Sequence, residues 1–225
     1  MTETIWLAKG SHPGCDDPER CLFEWYNHLD RGIHTGACPP GVSPVLHVYG
    51  MRLNDCLPDD KRQQLARWLP NGTSPLAGTA GDGKDQARGY IALDWIVRTY
   101  LPAWLDLVPG LATHARLLRA GAPVTCVDAA RETGPVVAAA RAAAWDAAWA
   151  AAWAAAGGGA GPVGALAAWD AAEAAAGAAA WAAGRDAAWD AARDAAWDVL
   201  APVTARLQNS AIALYGALIA GKWPA

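Results

Sequence analysis

The stretch RDAAWDAARDAAWD, residues 185–198, decides the fold of the C-terminal half. Asp recurs in it every four residues, each Asp follows a position that alternates between Arg and Trp, and pairs of Ala lie between. Four residues advance about 400° around an α-helix, so each row of like residues drifts by roughly 40° per repeat. Residues 138–200 hold 34 Ala and seven Trp in total. Alanine has the highest helix propensity of the amino acids, so this composition predicts long helices.

The Ala-rich region is predicted to form an antiparallel helical hairpin. The segment GGGAGPVG, residues 157–164, divides it into helices at about 136–156 and 165–200. Pro202 is expected to end the second helix, and a final helix then runs to Gly221. Faces made of Ala allow two helices to approach closely, and the Trp side chains fill the gaps between them.

The first 130 residues have mixed composition, with helix signals and no convincing strand pattern. Helices are predicted at residues 21–32, at about 45–53, at 61–69 and at 86–108, the third with Asp59 and Asp60 as N-caps. Apolar residues at helical spacing make the fourth the predicted core helix of this half: Tyr90, Leu93, Ile96, Val97 and Leu101.

The predicted fold class is therefore all-α. An N-terminal helical region, residues 1–134, packs on the Ala/Trp hairpin and final helix of residues 135–225, either as two domains or as one continuous core. The sequence begins without the basic and apolar regions of a secretory signal, and five Cys is an odd number, so we expect a cytoplasmic protein without a disulfide framework. Arg141 and Asp146 argue against membrane insertion of the first Ala-rich helix. The net charge of −4 argues against nucleic-acid binding.

A cluster of Cys and His near the start is the candidate metal site. Cys15, Cys21, His34 and Cys38 have the spacing C-x5-C-x12-H-x3-C, whose second half is close to that of a structural zinc site. If all four bind zinc, the site is closed and structural. The more common alternative is that Cys21 is a small core residue, His34 is solvated and Cys38 is a loop thiol.

Two other features were weighed as chemical sites. Residues 78–85, GTAGDGKD, resemble a phosphate-binding loop but have Asp85 where Ser or Thr is needed, so a glycine-rich turn before a helix is the favoured interpretation. Asp94 lies among apolar neighbours, and an ion pair with Arg98, one helical turn later, is favoured over a catalytic role.

Repetitive helices supply surfaces and not reaction centres, so the sequence predicts a non-enzymatic interaction protein. It is expected to form homo-oligomers or to bind a protein partner, because a Trp stripe that winds around a helix is hard to bury within one hairpin. The predicted interaction surface consists of Trp145, Trp149, Trp153, Trp181, Trp189 and Trp197. The alternative is a metal-dependent enzyme that uses His34, Cys38 and nearby groups, with residues 78–85 as a substrate cradle.

The GTAGDG segment at residues 78–83, the ALDW segment at 92–95 and the repeated AAWD motif also carry a resemblance. Together with the rest of the chain they resemble alanine-rich repeat proteins of actinobacteria and their bacteriophages. That group has no established activity. The resemblance therefore implies a biological setting, in actinobacteria or their bacteriophages, but no catalytic residue. It implies a small accessory protein that binds a host or phage component.

Overall fold

A computed structural model describes residues 5–12, 19–70, 74–108, 110–155 and 185–223; at residues 148, 149, 151–155 and 185–199 it describes the backbone alone. Its α-helices are α1 (Leu22–Arg31), α2 (Pro44–Cys56), α3 (Asp59–Arg62), α4 (Asp85–Trp95), α5 (Leu101–Leu105), α6 (Ala112–Ala120), α7 (Val127–Ala155) and α8 (Arg185–Ala220). A 3-10 helix (Gln63–Trp68) follows α3, and a π-helical turn (Ile96–Tyr100) joins α4 to α5. The described residues form no β-strand, and the all-α prediction is confirmed.

The chain forms two compact units. The first consists of Met1–Tyr100, Ala122–Thr133 and Arg206–Ala225, and the second of Leu101–Gly121 and Gly134–Ala205. The end of α8 thus belongs with the N-terminal helices. These units divide the chain differently from the boundary expected at residue 134, which stays a prediction.

The core of the first unit lies between α1, α2 and the end of α8. Its largest fully buried apolar side chains include Phe23, Leu46 and Tyr215. Each apolar side chain of this size contributes about 1.5–3 kcal/mol when it leaves water. Helix α1 ends as predicted at Gly32, whose φ of 67° lies in the left-handed region that glycine adopts without strain.

The predicted core face of α4 is wrong in part. Val97 is buried as predicted, Tyr90 and Leu101 are half-buried, and Leu93 and Ile96 are exposed. The other buried positions of this segment are Arg88, Ile91 and Asp94. The buried carboxylate of Asp94 has three donors. Arg98 donates two hydrogen bonds to it, at 2.7 and 2.6 Å, and the Val124 N–H donates a third at 2.9 Å. The predicted pairing of Asp94 with Arg98 is therefore confirmed.

Three other local predictions were also wrong. The helix at residues 61–69 begins at Asp59 and has Pro58 as its N-cap, so Asp59 lies in the first turn, where it pairs with Arg62. Helix α7 begins at Val127 instead of about residue 136 and runs through Pro135. Helix α8 continues through Pro202, which was expected to end it. The strong helix formers on the Ala-rich side of each proline offset the lost hydrogen bond.

In the second unit, α5 packs against α6, a helix that was not predicted. Ala115 and Leu118 form the buried face of α6. An ion pair between Arg119 and Asp106 also joins the two helices. The predicted glycine-rich connection at residues 157–164 and most of the predicted helix at 165–200 lie outside the described residues. No helix in the described part of the chain combines the length and hydropathy that crossing a bilayer requires.

Candidate functional site

The predicted zinc ligands occupy separate places. Cys15 lies outside the described residues. Cys21 is buried at the N-cap of α1, where burial raises the pKa of its thiol to about 12. Cys38 lies in the loop before α2, and its Sγ is 3.4 Å from the carbonyl oxygen of Val42. Zinc binds the thiolate form of Cys, which neither environment favours, because burial raises the pKa of Cys38 as well.

His34 lies in the loop after α1 and is partly buried. Both of its ring nitrogens are inaccessible to solvent and have no hydrogen-bond partner. Across the described ranges, no three His, Cys, Asp or Glu side chains are grouped so that they could hold a metal ion. Cys21, His34 and Cys38 are therefore not brought together as a set of three, and zinc binding stays a prediction.

The polar centre of this region is Glu24, which the sequence analysis missed. Its side chain is 1% exposed. One carboxylate oxygen accepts hydrogen bonds from the His12 N–H at 2.8 Å and from Ser11 Oγ at 3.4 Å. The other lies 3.0 Å from His12 Nδ1 and accepts from the Cys21 N–H at 2.7 Å. These contacts hold the residues before α1 against the first turn of that helix.

Burial opposes ionisation of Glu24, but hydrogen bonds from the Cys21 N–H, the His12 N–H and the His12 ring outweigh it, so its pKa is lowered below the ordinary value of 4.5. The sequence signal was the spacing Cys21-x-x-Glu24. This is a capping box in which Cys replaces the usual Ser or Thr: the Cys21 side chain accepts from the Glu24 N–H, and the Glu24 side chain accepts from the Cys21 N–H.

Glu24→Gln is expected to lower the free energy of unfolding at pH 7 by about 2–3 kcal/mol, because an amide replaces a buried charged acceptor. A carboxyl with a lowered folded-state pKa stabilises the fold above its ordinary pKa of 4.5, and this stabilisation is lost as the pH falls through the folded-state value. Urea unfolding measured between pH 7 and pH 3 should therefore show a steeper loss of stability in the wild type than in the variant. Glu132→Gln is the control, since that side chain is exposed on α7 and lies far along the chain from His12. Equal pH dependence in the wild type and Glu24→Gln would contradict this role.

The segment Ile5–His12, which we term the strap, runs across α1, the end of α2 and the 3-10 helix. Side chains of the helices bind its backbone. The Gln63 amide accepts from the Leu7 N–H at 2.8 Å and donates to the Leu7 carbonyl at 3.0 Å. Asn54 Nδ2 donates to the Ala8 carbonyl at 2.9 Å, and Asp55 Oδ1 accepts from the Gly10 N–H at 3.0 Å. Residues 5–8 of the strap are thus bound as an extended peptide would be, and the chain bends at Lys9 and Gly10.

The glycine-rich segment at residues 78–85 surrounds a cation of the chain itself. The Arg88 side chain is fully buried and donates to Asp82 at 2.8 and 2.7 Å and to Asp85 at 2.7 Å. Ser43 Oγ, at the N-cap of α2, donates to Asp85 at 2.5 Å. A turn that uses its carboxylates to hold a guanidinium is unsuited to a phosphate. The interpretation as a turn before α4 agrees with this geometry.

One residue of the predicted Trp surface has a described side chain. Trp145 on α7 is 68% exposed. Trp149 and Trp153 on α7, and Trp189 and Trp197 on α8, have described backbones alone, and Trp181 lies outside the described residues. The interaction surface beyond Trp145 therefore stays a prediction.

Comparisons with protein-family models, with curated proteins and with solved structures return no match.

Proposed function

We propose that this protein is a non-enzymatic helical interaction protein that self-associates through the Ala/Trp face of α7. The observation that carries the proposal is Trp145, a large apolar side chain that is 68% exposed on a helix otherwise rich in Ala. Tryptophan is among the residues that most often dominate the binding energy of protein interfaces. Its burial against a partner helix would remove this apolar surface from water.

A second copy of the chain is the occupant that the sequence of this face favours. The α7 segment AAAWDAAWAAAW, residues 142–153, alternates one large side chain with two or three small ones. Two such helices are complementary, because Trp of one lies over Ala of the other and the backbones can approach closely.

The setting is proposed with the function. The described cysteines are free thiols: Cys21, Cys38, Cys56 and Cys126. Free thiols fit a location in the cytoplasm of an actinobacterial cell, where a bacterial or a phage accessory protein would act. The metal-dependent enzyme has no comparable observation in its favour, since Arg88 fills the turn that would serve as the substrate cradle.

Trp145→Ala is expected to raise the dissociation constant of self-association by about thirtyfold, the effect of a 2 kcal/mol interface residue. Sedimentation equilibrium over a range of concentrations measures this constant, and the circular dichroism of the helices should stay unchanged. Trp6→Ala is the matched control, because Trp6 is 57% exposed but lies in the first unit. Equal dissociation constants for the wild type and Trp145→Ala would refute the proposed interface.

A further inference from the structure

We infer that the surface beneath the strap is a binding site for an extended peptide, and that it accepts the Ile5–His12 segment of a second copy in exchange for the chain's own. The site, here termed the strap groove, consists of Glu24 and Trp25 on α1, Asn54 and Asp55 on α2, and Gln63 on the 3-10 helix. It lies in the first unit and uses no residue of the Ala/Trp helices.

The strap groove recognises mainly the peptide backbone. Trp25 Nε1 donates to the Trp6 carbonyl at 2.7 Å, and Gln63 binds both the N–H and the carbonyl of Leu7. The Ala8 N–H donates to the Arg20 carbonyl at 2.9 Å, and Asn54 donates to the Ala8 carbonyl. Peptides added to a sheet edge are held by backbone groups in the same way, but here helix side chains supply most of the partners.

Three strap side chains add specificity. Leu7 is 0% exposed and Ala8 is 7% exposed, so the groove takes one branched apolar residue followed by a small one. His12 is 9% exposed and its ring contacts Glu24 at 3.0 Å. Trp6 and Lys9 are exposed and do not enter the groove. The fitting ligand is therefore a segment that is extended around Leu-Ala, bends at the next two residues, where Gly10 has a φ of 91°, and places His four residues after the Ala.

A second copy provides this segment with every contact intact. All the groove residues named above follow the strap in the chain, and six residues, 13–18, separate His12 from Glu19. Exchange of a terminal segment between identical copies creates no new interface chemistry, so it is a low-cost route to a dimer. Leu7 belongs to the apolar core cluster and Ile5 packs against it, so release of the strap uncovers apolar surface, and we expect the exchange under conditions close to unfolding.

Cross-linking between two distinguishable full-length copies tests the exchange. The donor copy carries Lys9→Cys and Cys56→Ser, whereas the acceptor keeps Lys9 and its native Cys56, which is exposed on α2 beside Asp55. Cys15 and Cys126 are changed to Ser in both copies, and one copy carries a mass tag. The copies are mixed a few degrees below their melting midpoint and treated with a short flexible bis-maleimide.

The expected result is a covalent donor–acceptor heterodimer. A single chain that contains both Lys9→Cys and Cys56 should cross-link within itself, which verifies the reach of the reagent. Leu7→Asp in the donor should lower the heterodimer yield at least tenfold, because a charged side chain is excluded from the fully buried position. The same substitution in the acceptor should raise the yield severalfold, because it frees the acceptor's groove.

A cross-link within the control chain, together with no heterodimer from the mixed copies, would overturn the inference. A heterodimer yield that Leu7→Asp in the donor leaves unchanged would also overturn the inference, because the two copies would then be cross-linked through a contact other than the strap groove. The experiment repeated with Trp145→Ala in both copies separates this site from the Ala/Trp face. The strap cross-link should persist there, whether or not self-association through α7 is lost.

Discussion

Arg88→Met is expected to lower the free energy of unfolding by about 3–5 kcal/mol, the cost of removing one partner from a buried charge network. Arg88 is fully buried and binds Asp82, Asp85 and the carbonyl of Leu218, the last through Nε at 3.0 Å. Its loss leaves two carboxylates close together without the cation that holds them, and the Leu218 carbonyl loses one of its donors while it keeps the Gly221 N–H, at 3.1 Å. The change can be measured by urea unfolding at pH 7.

The control for this prediction is Arg131→Met. Arg131 also pairs with an Asp at 3.0 Å, but both of these side chains are 76% exposed. Exposed pairs contribute about 0–1 kcal/mol, so this variant should be close to the wild type. The hydrogen bond from Arg88 also lowers the pKa of Asp82. If Arg88→Met cost no more than Arg131→Met, the glycine-rich turn would not be held by its buried guanidinium.

Gly50→Ala is expected to cost about 2–3 kcal/mol, because a larger side chain is forced into a filled core. A Cβ at residue 50 would lie 2.5 Å from Tyr215 Oη and 2.9 Å from Phe23 Cε2. Both rings are buried, and the Tyr215 hydroxyl donates to the Leu46 carbonyl at 3.2 Å. Neither ring can move without breaking the packing between α1, α2 and α8.

Gly89→Ala is the matched control within another helix. A Cβ there meets no atom within 4 Å, so Ala should stabilise α4 by about 0.5–1 kcal/mol through its higher helix propensity. Thermal or urea unfolding of the two variants should thus shift in opposite directions. Tyr215→Phe should restore part of the stability lost in Gly50→Ala, since it removes the closest atom. If Gly50→Ala left the free energy of unfolding unchanged, the core would be packed more loosely than these distances indicate.

Local signals predicted the end of α1 and the start of α2 well. Helix α1 ends at Gly32 because glycine alone takes the left-handed conformation there without strain. Helix α2 begins at Pro44, one residue before the predicted start, with Ser43 as its N-cap accepting from the Val45 and Leu46 N–H groups. Caps and first-turn prolines act within a few residues, so the sequence alone contains the information.

The orientation of α4 could not be predicted in this way. Its apolar pattern pointed to Leu93 and Ile96, whereas the buried face carries Arg88 and Asp94. Apolar periodicity assumes that charges face water, but here local ion pairs neutralise the buried charges, and backbone groups from distant parts of the chain add further partners, such as the Val124 N–H for Asp94. Arg88 binds Leu218, which lies 130 residues away. The bounds of α7 and α8 were predicted wrongly because proline normally marks a helix end. Pro135 and Pro202 each lie inside a helix instead, next to residues of high helix propensity.

The candidate site was predicted only in part. Spacing identified Cys21, but it could not show that its neighbour Glu24 would gather the hydrogen bonds of this region. The strap was also missed, because its partners Asn54 and Gln63 are about 46 and 56 residues away and side-chain amides have no recognisable pattern. Trp145 was predicted from the repeat alone; its side chain is 68% exposed, and its part in an interaction surface stays a prediction.

The mass of the wild-type protein in solution tests the proposed self-association most directly. Multi-angle light scattering at micromolar concentration should give a multiple of the 23.4 kDa chain mass, with the larger species increasing as concentration rises. A mass of one chain throughout the concentration range would contradict self-association through the Ala/Trp face.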